Sequence, residues 1–205
     1  MNESLLFLIG SRGSGKSTVA RILAQALGWD WLDADEELEN RHGQSIRAIF
    51  AAEGEAGFRD KESVILADVC RLRRHIIATG GGVVLRSGNR EQMRRSGRVV
   101  WLTADVETLW QRLQADGSTA ERRPALSVGG RAEIEEVVRL REPLYRQCAD
   151  FVVESTARSA AEVAAELLRW MASGGRKPPD SSFQRESEGL RPPLADGDAE
   201  CFTSG

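Results

Sequence analysis

The chain predicts an α/β fold, a mainly parallel sheet with helices on both faces. Two observations lead there. Short apolar stretches suited to strands alternate along the sequence with longer stretches of helical periodicity. Between the first strand and the first helix lies Gly10-Ser11-Arg12-Gly13-Ser14-Gly15-Lys16-Ser17, which reads G-x-x-x-x-G-K-S. That strand-to-helix context is the one in which the motif cradles phosphates.

The first strand is Leu5-Leu6-Phe7-Leu8-Ile9, an unbroken apolar run fit for burial. In the loop after it, Gly10, Gly13 and Gly15 permit backbone angles and close approach that a side chain would block. The loop N–H groups can then face phosphate oxygens, and the N-terminus of the next helix adds partial positive charge. Lys16 can reach the β- and γ-phosphates, and the Ser17 hydroxyl can bind Mg²⁺. The helix runs over about 16–27, where Val19, Ile22, Leu23 and Ala26 recur at helical spacing.

A second strand near 29–33 ends in Trp31-Leu32-Asp33-Ala34-Asp35. If the strand persists, Asp33 and Asp35 point to the same side, at the carboxyl end where ligands of open α/β sheets bind. One carboxylate could serve a metal and the other a substrate hydroxyl, as phosphoryl transfer requires. Asp35 could equally be the N-cap of a helix over 36–42, and the two roles are compatible. Helices are expected next at 45–53 and 55–72. A third strand over 75–79, built on Ile76-Ile77-Ala78, runs into Thr79-Gly80-Gly81-Gly82. Three glycines in a row weaken regular structure and suit backbone that must approach a ligand, although a plain turn is the simpler alternative. Many P-loop enzymes carry a metal-supporting Asp at such a strand end. Its absence here leaves Asp33 as the candidate.

Helices follow near 88–96, 105–115 and 131–148, with strands near 98–102 and 150–154 between them. The last helix, about 159–172, shows one apolar stripe of Val163, Ala164, Leu167, Leu168 and Met171. Residues 116–130 are the one long irregular stretch inside the folded part, and such loops are usually functional or mobile. With Arg122, Arg123 and Pro124 it reads as a lid over phosphates, or as a solvated charged loop. From Ser173 onward four of the six prolines cluster with five Gly and five Ser, so 173–205 is expected to be a disordered tail.

Arg59 and Arg141 alone each suit a surface ion pair, Arg59 with Glu55 or Glu62. Together they could grip a carboxylate through matching fork geometry. His42 is read as a surface residue and His75 as a strand edge. Trp29, Trp31, Trp101, Trp110 and Trp170 are read as core.

Composition narrows the remaining classes. The 205 residues carry a formal net charge of −3, with 41% hydrophobic and 29% charged residues. That suits one domain with a full core and gives no basic excess for nucleic acid or membrane. Cys70, Cys148 and Cys201 form neither a disulfide framework nor a metal-ligand pair, which points to a reducing cytoplasm. The N-terminal apolar run is far below the ~20 residues of a membrane span.

Taken in order, Gly10 to Ser17, Asp33-Ala34-Asp35, Gly57-Phe58-Arg59, Thr79-Gly80-Gly81-Gly82, Arg123-Pro124 and Arg141-Glu142-Pro143-Leu144-Tyr145 make the chain resemble a shikimate kinase over about residues 4–172. The Phe7-Leu8-Ile9-Gly10 start and Ala56-Gly57-Phe58-Arg59 resemble the second of the two bacterial isoenzyme types. The resemblance implies a three-layer P-loop sandwich with five parallel strands in the order 2-3-1-4-5. It divides the chain into a kinase domain at 1–172, with an acceptor-binding part at 33–62 and a lid at 116–130, and a tail at 173–205. It also implies transfer of the γ-phosphoryl of MgATP to the 3-hydroxyl of shikimate, in a monomer without an obligatory protein partner.

Residue roles follow from the same resemblance. Gly13, Ser14, Gly15, Lys16, Ser17 and Thr18 bind the ATP phosphates, with Lys16 on the transferred group. Ser17 ligates Mg²⁺ and Asp33 supports it through water. Asp35 binds acceptor hydroxyls and acts as base. Arg59 and Arg141 hold the acceptor carboxylate, while Gly81 and Gly82 line it through backbone N–H groups. Arg123 descends with the lid, and Arg112 and Arg158 flank the adenine. Another small-molecule kinase, such as a gluconate or nucleoside monophosphate kinase, and a non-catalytic nucleotide-binding regulator are the alternatives.

Overall fold

In the computed structural model, residues 5–115 and 130–175 are described. Five strands, β1 (Leu5–Ile9), β2 (Asp30–Asp33), β3 (His75–Ala78), β4 (Arg98–Thr103) and β5 (Phe151–Glu154), form one sheet. All pairings are parallel and the order is β2-β3-β1-β4-β5. The helices among the described residues are α1 (Lys16–Leu27), α2 (Ala34–His42), α3 (Ile46–Val69), α4 (Ser87–Ser96), α5 (Val106–Ala115), α6 (Gly130–Cys148) and α7 (Ala160–Ala172). A short 3-10 turn, Val83–Leu85, follows the triple glycine. Arg122, Arg123, Cys201 and nearly all of the proposed lid and tail lie outside the described residues. Gly130, expected in the lid, opens α6.

The central strands explain the unbroken apolar run. β1 is buried at every position because helices cover both faces of the sheet. Its side chains alternate between two cores. Leu5, Phe7 and Ile9 join Ile77, Val99 and Trp101 under α3, α4 and α6. Leu6 and Leu8 join Ile76, Ala78, Val100 and Leu102 under α1 and α7. The edge strands are more open, and Trp31 on β2 is 38% exposed. Trp29 sits in the turn before β2, half-buried. Of the five tryptophans, Trp101 and Trp170 are true core, while Trp31 stands at a sheet edge where no further strand covers it.

The sequence reads α3 as two helices, and the backbone supports that division. Gly54 sits inside α3 at φ 68°, ψ −173°, a region essentially closed to other residues. The ladder breaks there and the second half, beginning at Glu55, sets off at a new angle. Phe50 and Phe58 stack across the bend with ring centroids 4.6 Å apart, and Lys61 pairs with Glu53 at 3.1 Å.

β2 stops at Asp33 and does not continue to Asp35. Asp33 is the N-cap of α2, its carboxylate accepting from the N–H groups of Asp35 at 3.0 Å and Glu36 at 3.4 Å. The cap is therefore Asp33 and not Asp35. An Asp side chain satisfies first-turn donors from outside the helix, and Asp35 lies within the first turn with its carboxylate against Gly80. His42 is exposed at the end of α2. His75 opens β3 and is partly shielded, its Nδ1 2.7 Å from the Arg73 carbonyl.

Candidate active site

The carboxyl ends of β1, β2 and β3 place three loops side by side. After β1, Gly10 passes so close to β4 that a Cβ there would run into the Leu102 carbonyl. α1 begins behind Gly15 with no side-chain cap and no acid in its first turn. Its leading N–H groups and helix-end charge are thus left for an anion. Lys16 is 8% exposed, and its ammonium donates to the Gly10 carbonyl at 2.9 Å and the Ser11 carbonyl at 2.8 Å. Ser17 and Thr18 are exposed on the first turn of α1.

Asp33 joins the P-loop to the neighbouring strand. Ser17 Oγ donates to Asp33 Oδ2 at 2.5 Å while Asp33 Oδ1 holds the Asp35 N–H. A hydroxyl and a carboxylate oxygen beside a phosphate cradle are the hard donors that Mg²⁺ takes. Among the described residues no three His, Cys, Asp or Glu gather into a metal cluster. Mg²⁺ at a phosphate cradle is commonly held by one or two protein oxygens together with substrate phosphates. Ser17 and Asp33 therefore fit Mg²⁺.

The triple glycine is a spacing device. A Cβ on Gly80 would lie 2.6 Å from Asp35 Oδ1 and 3.0 Å from Glu62 Oε1. One on Gly82 would lie 2.6 Å from Arg59 Cζ, and one on Gly81 3.6 Å from Arg141 Nη1. The bare backbone of 80–82 thus lies against Asp35, Arg59 and Arg141 at once, and a side chain at 80 or 82 would push Asp35 or Arg59 away. Sequence reasoning gave roles to Gly81 and Gly82 and missed Gly80, whose neighbour Asp35 is remote in sequence.

Arg59 is not the surface ion pair its local sequence suggests. It is 6% exposed, with Nη1 donating to Glu62 at 2.8 Å and Nη2 to Glu55 at 3.1 Å. Glu62 is itself 5% exposed. Burial alone would lower the guanidinium's pKa, but the Glu62 and Glu55 carboxylates more than offset it and hold Arg59 above its ordinary value. The sequence names Glu62 as a partner for Arg59 but places the pair at the surface, whereas the structure buries it. Their i, i+3 spacing on one helix was the available signal for the pairing.

Across the P-loop, Arg112 donates to the Gly13 carbonyl at 3.2 Å, the Ser155 hydroxyl at 3.0 Å and the Ser155 carbonyl at 2.7 Å. The buried Ser155 hydroxyl donates to the Ser14 carbonyl at 3.2 Å. Arg112 is thereby tied to the phosphate loop. Arg158 is held instead by the Glu154 and Glu162 carbonyls and the Glu166 carboxylate, the last at 2.7 Å. Neither described cysteine is poised as a nucleophile: burial pushes Cys148 up to about 11 and also raises Cys70.

The family model for shikimate kinase matches residues 12–172. This chain belongs to the shikimate kinase family. It is accordingly an ATP-dependent kinase. The shikimate kinase of Rhodopirellula baltica is 44% identical over 165 residues, covering 80% of this chain and 88% of that one. That of Pseudomonas paraeruginosa is 44% identical over 164 residues, covering 80% and 93%. Among solved structures, shikimate kinase from Acinetobacter baumannii in complex with shikimate superposes with TM-score 0.79 at 36% identity, covering 85% of this chain and 96% of that one. No helix among the described residues is long and apolar enough to cross a membrane.

Proposed function

We propose that this enzyme transfers the γ-phosphoryl of MgATP to the 3-hydroxyl of shikimate, with the residues grouped around the triple glycine in defined roles. The observation that carries the assignment is the packing of one glycine backbone against Asp35, Arg59 and Arg141, with Asp33 linking Asp35 to the phosphate loop. A carboxylate acceptor would lie against the glycines between the two guanidiniums, whose forks match its oxygens. Its reacting hydroxyl would then face Asp35.

The nucleotide's phosphates take the Gly13 to Thr18 N–H groups, and Lys16 exchanges its loop carbonyls for phosphate oxygens. Ser17 and Asp33 would hold Mg²⁺, which when bound would supply neutralisation of phosphate charge. Asp35 accepts the proton of the acceptor hydroxyl as its oxygen bonds to Pγ and the bond from Pγ to the β,γ-bridging oxygen breaks, leaving ADP. Catalysis is positioning and charge stabilisation. Arg112 and Arg158 are assigned to the adenine side and Arg123 to the closing lid. The reaction is placed in the cytoplasm and needs no protein partner.

The test is acceptor-dependent ADP release with shikimate, gluconate, AMP or no acceptor. Stimulation by shikimate alone is expected, and equal rates with gluconate would overturn the substrate assignment. Asp35→Asn should keep ATP affinity and lose about two or more decades of kcat, the scale of general-base removal. Near wild-type turnover in that variant would remove Asp35 from the role of base.

A further inference from the structure

Tyr145 is the chain's one tyrosine, and it sits on α6 four residues beyond Arg141, on the same helical face. It is 1% exposed and stacks on Trp101 with ring centroids 5.7 Å apart. Its hydroxyl donates to the Gly81 carbonyl at 2.5 Å. One buried group thus anchors the triple glycine from the helix that carries Arg141.

We propose that Tyr145 is a positioning residue for the acceptor's carboxylate, aiming the Gly82 N–H by anchoring the Gly81 carbonyl. The Gly81–Gly82 peptide is planar and trans, so its N–H points opposite to its C=O. With the carbonyl pinned toward α6, the N–H faces away from α6, and Gly82 is in contact with Arg59. Its neighbours are settled within the turn: the Gly80 carbonyl accepts from Val83 N–H at 3.2 Å and that of Gly82 from Leu85 N–H at 3.0 Å. Glycine tolerates many peptide orientations. The tyrosine hydroxyl selects one.

The inference rests on the proposed acceptor site, so the test separates the two. Tyr145→Phe removes one oxygen and keeps the Trp101 stack. Its shikimate KM should rise about two- to tenfold, the range of one net hydrogen bond, with the ATP KM within twofold (~0.4 kcal/mol). The penalty should vanish with an acceptor analogue whose carboxylate is reduced to a primary alcohol. Arg59→Ala serves as the control. If Arg59→Ala leaves the shikimate KM unchanged, the acceptor site itself is wrong. If Arg59→Ala raises it and Tyr145→Phe does not, or if the phenylalanine penalty is equal for the alcohol analogue, Tyr145 is only structural. Should Tyr145→Phe fail to fold, biosynthetic 3-fluorotyrosine reports on position 145 alone. Its fluorine resonance should move when shikimate is added to the active enzyme, and a stationary resonance at saturating shikimate overturns the proposal.

Discussion

At the scale of single residues, burial decides what each charge can do. Arg59 and Glu62 would be worth little as an exposed i, i+3 pair. Here both are nearly sealed, so losing Glu62 leaves the buried guanidinium with only the exposed Glu55 as partner. Glu62→Ala should cost ~3–5 kcal/mol of folding stability, measured by chemical denaturation. A loss under ~1 kcal/mol would show that Arg59 finds water or a new partner. The identity of the helix cap is a residue-scale matter too. Asp33 and Asp35 are both acids two positions apart, and sequence could not say which would cap. The chain turns into α2 immediately after Asp33, and that turn leaves only Asp33 outside the helix, where its carboxylate can reach back to the first-turn donors.

At the scale of elements, the site depends on how helices are aimed. The bend at Gly54 sets the direction of the segment carrying Phe58 and Arg59. A Cβ at this position would meet nothing within 4 Å, so substitution there is a backbone problem and not a steric one. Gly54→Ala should destabilise by about 1–3 kcal/mol and raise the shikimate KM more than the ATP KM. Steady-state kinetics with each substrate varied checks this, and parallel changes in both constants would count against an acceptor-side hinge. On the nucleotide side, the Ser155 hydroxyl joins the loop after β5 to the P-loop through Ser14 and Arg112. Ser155→Ala should raise the ATP KM about two- to tenfold and leave the shikimate KM alone. An unchanged ATP KM would mean that the P-loop holds its shape without this tie.

For the whole molecule, two cores separated by one sheet hold the loops after β1, β2 and β3 together at the carboxyl end of the strands. The family match ends at residue 172, the last residue of α7. Arg98 closes that end, donating to the Gly174 carbonyl at 2.9 Å and the Gly175 carbonyl at 3.1 Å. A chain ending at Gly175 should therefore retain kcat within about twofold and its thermal midpoint within a few degrees, the shift of less than ~1 kcal/mol. A large drop in either would assign the last thirty residues (176–205) a part in the fold or the reaction.

The sequence by itself determined the alternation of strands and helices, the phosphate loop and the presence of two acids, Asp33 and Asp35, at the end of the second strand. Each is written locally: in period, in glycine spacing, in residue type. Residue-based reading stopped short at Gly80, Ser155 and Tyr145, because their partners lie far along the chain. Trp31 looked like core for the same reason: its apolar surface was visible in the sequence but its place at an open edge was not. Only the tertiary structure decided which charges are buried, which acid caps and which backbone is pressed between guanidiniums. Those are properties of neighbours in space, and desolvation and close contact act on such neighbours whatever their separation along the chain.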